Sequence, residues 1–128
     1  MPSNLDMGPK RFEKLARKAI AGLPEEFQPY VQEVMLVIEP YASEELLDDL
    51  GVPEDEDLFG LYEGPSLAER EAGGAPEMPP RITLYYRAFL DECETEEELI
   101  HEIQTTVLHE IGHHFGLEED RLTELGYE

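Results

Sequence analysis

The stretch Thr95-Glu96-Glu97-Glu98-Leu99-Ile100-His101-Glu102-Ile103-Gln104-Thr105-Thr106-Val107-Leu108-His109-Glu110-Ile111-Gly112-His113-His114-Phe115-Gly116 decides the fold. Thr95 to Glu98 has the S/T-x-x-E form of a capping box, in which the Thr hydroxyl takes the amide of the third helical residue. A helix is predicted over about Glu96 to Phe115, with Ile100, Ile103, Val107 and Ile111 on its buried face. Gly116 is its natural stop, because glycine enters the left-handed region without a Cβ clash.

Within that helix stands His109-Glu110-Ile111-Gly112-His113. Two histidines four apart share a helix face, about 6 Å apart along the axis. Both imidazoles can then reach one zinc ion, at Zn–N distances of about 2.0 to 2.1 Å. Glu110 points about 100° further round the helix. It is badly placed to be a third ligand and well placed to touch a water at the metal. Two ligands and a base from one rigid element are what metal-assisted amide hydrolysis needs. Beyond Gly116 the chain can reverse, so that Glu118, Glu119 or Asp120 swings back as a third ligand. His114, turned about 100° from His113, reads as a surface or packing residue. His101 reads as an exposed helix position, and Cys93 as an inert packed thiol.

Outward from the helix, Arg81 to Tyr86 alternates as a strand, with Ile82, Leu84 and Tyr86 on one face and Thr83 and Tyr85 on the other. Val34 to Ile38, inside Val31 to Glu39, reads as a buried strand ending at Pro40. Phe59, Leu61 and Tyr62 suggest a further short strand. Lys10 to Leu23 carries Phe12, Leu15, Ala16, Ala19, Ile20 and Leu23 at helical spacing, with basic residues opposite. Pro24 to Tyr30 reads as a short helical turn. Ser43 is a candidate N-cap for a helix over Glu44 to Leu50, closed by Gly51. Glu119 to Leu125 reads as a last short helix. Residues 1 to 9 read as a loose arm, and Glu63 to Pro80 as a long irregular loop. The expected fold class is α+β: a single domain over 1–128, with a small sheet packed on the His109–His113 helix.

Composition narrows the partners. The 128 residues carry 31 acidic and 9 basic side chains, a net charge of -22. Five of the basic residues, Lys10, Arg11, Lys14, Arg17 and Lys18, crowd the first helix. A surface this acidic repels phosphates and anionic headgroups, so nucleic acid and membrane are poor partners. The longest purely apolar run, Val34 to Ile38, is far short of the roughly 20 residues that span a bilayer. The lone Cys93 allows no intrachain disulfide, which fits a reducing compartment. A cytoplasmic protein is expected, acting on a peptide or protein substrate.

His109-Glu110-Ile111-Gly112-His113-His114-Phe115-Gly116, together with Gly60 to Arg70 (G-L-Y-E-G-P-S-L-A-E-R) and Arg81 to Tyr86 (R-I-T-L-Y-Y), resembles a family of short bacterial "possible zinc metallopeptidases", or minimal zincins. The resemblance covers most of the chain after about Val31. It implies a compact zincin-like fold without a separate C-terminal subdomain, one Zn²⁺ per chain and peptide-bond hydrolysis. The extended pattern H-E-x-x-H-x-x-G-x-x-H/D puts the third ligand at Glu119, where this chain departs from His or Asp; Asp120 is the rival. The implied site is therefore His109, His113 and Glu119 on zinc, with Glu110 as general base. No Met follows Met78, so a methionine turn downstream of the helix is impossible. The alternative is a metal-binding, non-catalytic module that holds a protein or peptide partner. Tyr62, Tyr85, Tyr86, Tyr127 and Arg121 are nominees for an oxyanion donor, and Arg81 to Tyr86 for the strand edge on which a peptide would lie.

Overall fold

The computed structural model describes residues 5–64 and 79–127. Most of the predicted loop lies outside them. Among the described residues the order is α1 (Pro9–Ala21), a 3₁₀ turn (Glu25–Phe27), α2 (Gln28–Val31), β1 (Met35–Glu39), α3 (Glu44–Leu50), β2 (Gly60–Glu63), β3 (Arg81–Tyr85), α4 (Tyr86–Glu92), α5 (Glu96–Phe115) and α6 (Glu119–Glu124). This is an α+β fold. None of these helices is long and apolar enough to cross a membrane.

The long helix α5 begins and ends where its caps demand. Thr95 Oγ1 accepts from the Glu98 amide at 3.1 Å. The reciprocal half of the capping box is displaced by one residue, since Glu98 Oε2 accepts from the amide of Glu94 rather than Thr95. Gly116 closes the helix at φ 69°. The helix α3 follows the same logic: Ser43 Oγ accepts from Leu46 N at 3.1 Å, and Gly51 sits at φ 72°.

The sheet order is β1-β3-β2. β1 runs parallel to β3, with Leu36 opposite Ile82 and Ile38 opposite Leu84. β2 is antiparallel to β3, with Tyr62 opposite Ile82 and Glu63 opposite Arg81. β3 is thus the central strand, and its edges are taken by its two neighbours. That corrects the expectation that a peptide would lie along Arg81 to Tyr86: among the described residues the outer edges belong to β1 and β2.

One sheet face, with Tyr62, Ile82 and Leu84, shares a core with Phe12, Ala16 and Ala19 of α1 and Leu99, Ile103, Val107, Leu108 and Ile111 of α5. Phe89 and Leu108 are fully buried, and burial of such a side chain contributes about 1.5–3 kcal/mol. The buried stripe of α5 begins at Leu99, not Ile100, which is only partly covered. Thr83 and Tyr85 are buried as well, so β3 is covered on both faces.

Three further expectations are corrected. Tyr86 does not continue the strand but starts α4, a helix without a side-chain N-cap whose Phe89 ring lies tilted 5.5 Å from that of Phe12 and 5.1 Å from that of Phe59. β1 begins at Met35, because Gln28–Val31 is helical. Leu5 and Met7 pack against the core, so the arm is tied down over its described part.

Candidate metal and catalytic site

His109, Glu110 and His113 lie in the last two turns of α5. His109 and Glu110 are half-buried, and His113 is exposed. The helix approaches the sheet at β2. A Cβ built on Gly60 would stand 2.9 Å from Thr106 Cγ2, tighter than real side chains allow, so any larger residue would force Thr106 or the strand to shift. The approach carries Glu110 to the strand. Its Oε1 accepts from the Tyr62 amide at 3.1 Å. The Tyr85 amide donates to Phe59 O at 2.9 Å. In an antiparallel pair residues alternate in direction, so Phe59 and Leu61 face β3 while Gly60 and Tyr62 face outward. Glu110 therefore caps an outward-facing amide of the sheet edge.

The Tyr62 ring lies 4.4 Å from the His114 ring and 5.8 Å from that of Phe115. His114 is a packing residue there, as its position on the helix predicts.

On the other flank the chain turns back along α5. After Gly116, Leu117 and Leu122 approach Gly112, with Leu117 Cβ 3.6 Å and Leu122 Cδ1 3.9 Å from where a Gly112 Cβ would stand. The helix α6 ends in a left-handed turn: Gly126 at φ 88°, its amide on Thr123 O at 3.0 Å, and the Tyr127 amide on Leu122 O at 2.9 Å. This pair of bonds is a Schellman turn. It delivers the Tyr127 carbonyl oxygen to 2.9 Å from His109 Nε2. The Tyr127 ring stacks on His101 at 5.9 Å, 15° from parallel.

The predicted reversal of the chain after Gly116 is thus present, and Glu119 is the first residue of α6. Glu118, Glu119 and Asp120 are all exposed. Among the described residues no three His, Cys, Asp or Glu side chains converge as a ready metal cluster. The donor chemistry itself fits zinc: two imidazoles one turn apart on one face, and carboxylates just after the helix break.

The remaining nominees separate clearly. Arg121 is engaged by Glu26 at 2.7 Å and Glu124 at 3.2 Å, and its hydrogen bond holds the Glu26 carboxyl below the usual range. Tyr86 is buried against Phe12. The Tyr85 hydroxyl is pushed up, first by burial and then by Glu39, Glu63 and Glu110. Sequence reasoning missed the parts of Tyr62 and Tyr127 because both act through backbone atoms. The Leu125-Gly126-Tyr127 ending of a short helix was the available signal for the second.

No curated protein matches the chain. Among solved structures it is similar to a conserved hypothetical protein from Thermo thermophilus, at 22% identity and a TM-score of 0.50, over 91% of this chain and 97% of that one. That likeness concerns the fold alone. The model of one family, the zincin-like metallopeptidases, matches residues 31–127. That span runs from the end of α2 through the last turn beside His109, and the chain belongs to the zincin-like metallopeptidases.

Proposed function

We infer that the chain is a zinc-dependent peptidase in which His109, His113 and Glu119 hold the ion and Glu110 is the general base. The observation that carries this reading is the place of Glu110. It adjoins His109 on the helix, yet its Oε1 is fixed by the Tyr62 amide. Held by one oxygen, the carboxylate is fixed beside the strand edge, and its second oxygen is the one assigned to the water. When bound, zinc supplies Lewis acidity toward a carbonyl and a water that ionises near neutral pH. Glu110, held at Oε1 by the Tyr62 amide, would be the base that accepts a proton from water and returns it to the leaving amine. Glu110 holds the outward Tyr62 amide, so an extended substrate lying along β2 would meet Glu110 there and pair through the outward groups of Gly60. That pairing orients the scissile bond, and the half-buried position of Glu110 limits competing water.

The test is metal analysis of the native protein and His113→Ala, followed by peptide-library cleavage by the native protein and Glu110→Gln. About one zinc per native chain, lost in His113→Ala, with cleavage lost in Glu110→Gln while its zinc remains, supports the reading. Zinc retained with no cleavage of any peptide favours the alternative, a zinc-holding module that binds a partner without cutting it. A Glu110→Gln variant that loses zinc overturns the role given to Glu110.

A further inference from the structure

The contact between His109 and Tyr127 has a chemical consequence. A carbonyl oxygen can only accept, so the 2.9 Å contact puts a hydrogen on His109 Nε2. A ring nitrogen carrying hydrogen has no lone pair for a metal. Nε2 is the outer nitrogen of the imidazole, the one that lets two rings a helical turn apart meet at a common ion beyond the helix surface. The nitrogen best placed to bind zinc is therefore the nitrogen taken by the C-terminal turn.

That turn is built, not incidental. The Gly126 amide on Thr123 O and the Tyr127 amide on Leu122 O fix the turn that ends at Tyr127. Its ring stacks on His101. Leu122 is buried against the Gly112 face of the same helix, which anchors the start of the turn.

We propose that Leu122 to Tyr127 is a latch on the metal site: docking of the turn through the Tyr127 carbonyl and zinc binding at His109 Nε2 exclude each other. The proposal rests on His109 being a zinc ligand. Exclusion makes the coupling reciprocal. The docked turn lowers apparent zinc affinity by the fraction of molecules in which it is docked. Zinc in turn releases the turn and opens the flank of the site opposite β2.

Gly126→Ala separates the possibilities in the full chain. Gly126 sits at φ 88°, where an L-residue is strained, yet nothing lies within 4 Å of the new Cβ. The substitution thus weakens the turn without touching the core. Zinc affinity is read by competition with a chromogenic chelator, and amide hydrogen exchange is followed over 122–127 with and without zinc. The latch requires Gly126→Ala to bind zinc roughly three- to tenfold tighter than the native chain, and zinc to speed exchange in the native turn. His101→Ala, which removes the stacking partner, shifts affinity in the same direction. If the native chain binds zinc while Gly126→Ala binds it equally or more weakly, the latch is wrong: the carbonyl then supports a histidine bound through Nδ1, and the peptidase reading stands. If neither protein binds zinc, both the latch and the peptidase reading fall.

Discussion

The backbone amide of Tyr62 donates to Glu110 Oε1 at 3.1 Å, across 48 residues of sequence. This bond is where the long helix meets the edge of the sheet. The strand supplies an outward amide, the helix supplies a carboxylate, and Gly60 supplies the room for close approach. The residue assigned the proton-transfer role is therefore also part of the packing between helix and sheet.

That dual role separates two substitutions at Glu110. Glu110→Gln keeps a carbonyl oxygen for the Tyr62 amide, so its stability should fall by less than about 1 kcal/mol. Glu110→Ala removes the acceptor from a half-buried amide and should cost about 1–3 kcal/mol. Urea denaturation of the two variants measures the difference. Equal losses would mean that the amide bond adds nothing to the fold.

The third ligand is tested by paired substitutions. Glu119→Ala should weaken zinc binding by roughly tenfold or more, while Asp120→Ala leaves it within a few-fold. Chelator competition on both variants gives the answer, and a larger loss at Asp120 would transfer the role to that residue.

Two glycines near the site should respond oppositely to alanine. At Gly60 the new Cβ meets Thr106 Cγ2 at 2.9 Å and Leu84 Cδ2 at 3.2 Å, an overpacking expected to cost about 1–3 kcal/mol. At Gly112 the nearest atoms stand at ordinary contact distance, 3.6 and 3.9 Å. Gly112→Ala should therefore be neutral or gain up to about 1 kcal/mol from helix propensity. Thermal melts of the two variants, moving in opposite directions, are the expected outcome.

Cys93 gives a pH prediction. Burial first, and then the nearby Glu102, Glu98 and Glu92, push its thiol from the ordinary 9.0 up to about 11. Between these values the unfolded chain releases the thiol proton while the folded chain keeps it. The folded state therefore binds more protons, and the Cys93 contribution to stability falls as pH rises from 9 toward 11. Denaturation midpoints followed across that window should slope downward more steeply in the native chain than in Cys93→Ala. Parallel slopes would show that the thiol titrates normally. In the folded protein Cys93 should also resist alkylation at about pH 8, and react once the chain is unfolded.

What the sequence by itself determined was what depends on neighbours along the chain. The limits of α5 and α3 were legible because Thr95, Ser43, Gly51 and Gly116 act on amides and carbonyls within a few residues. The common face of His109 and His113 was legible for the same reason, as a property of helical pitch. The helix Tyr86–Glu92 was not: it has no side-chain cap, and its place is set by Phe89 packing between Phe12 and Phe59. Only the tertiary structure decided that β3 is central and β2 an edge, because strand order follows from pairing across long intervals of chain. It alone brought the Tyr62 amide to Glu110 and the Tyr127 carbonyl to His109. Both contacts use backbone atoms, which every residue carries; Gly126 marks the turn that ends at Tyr127, but no side-chain identity names the partner that either contact meets.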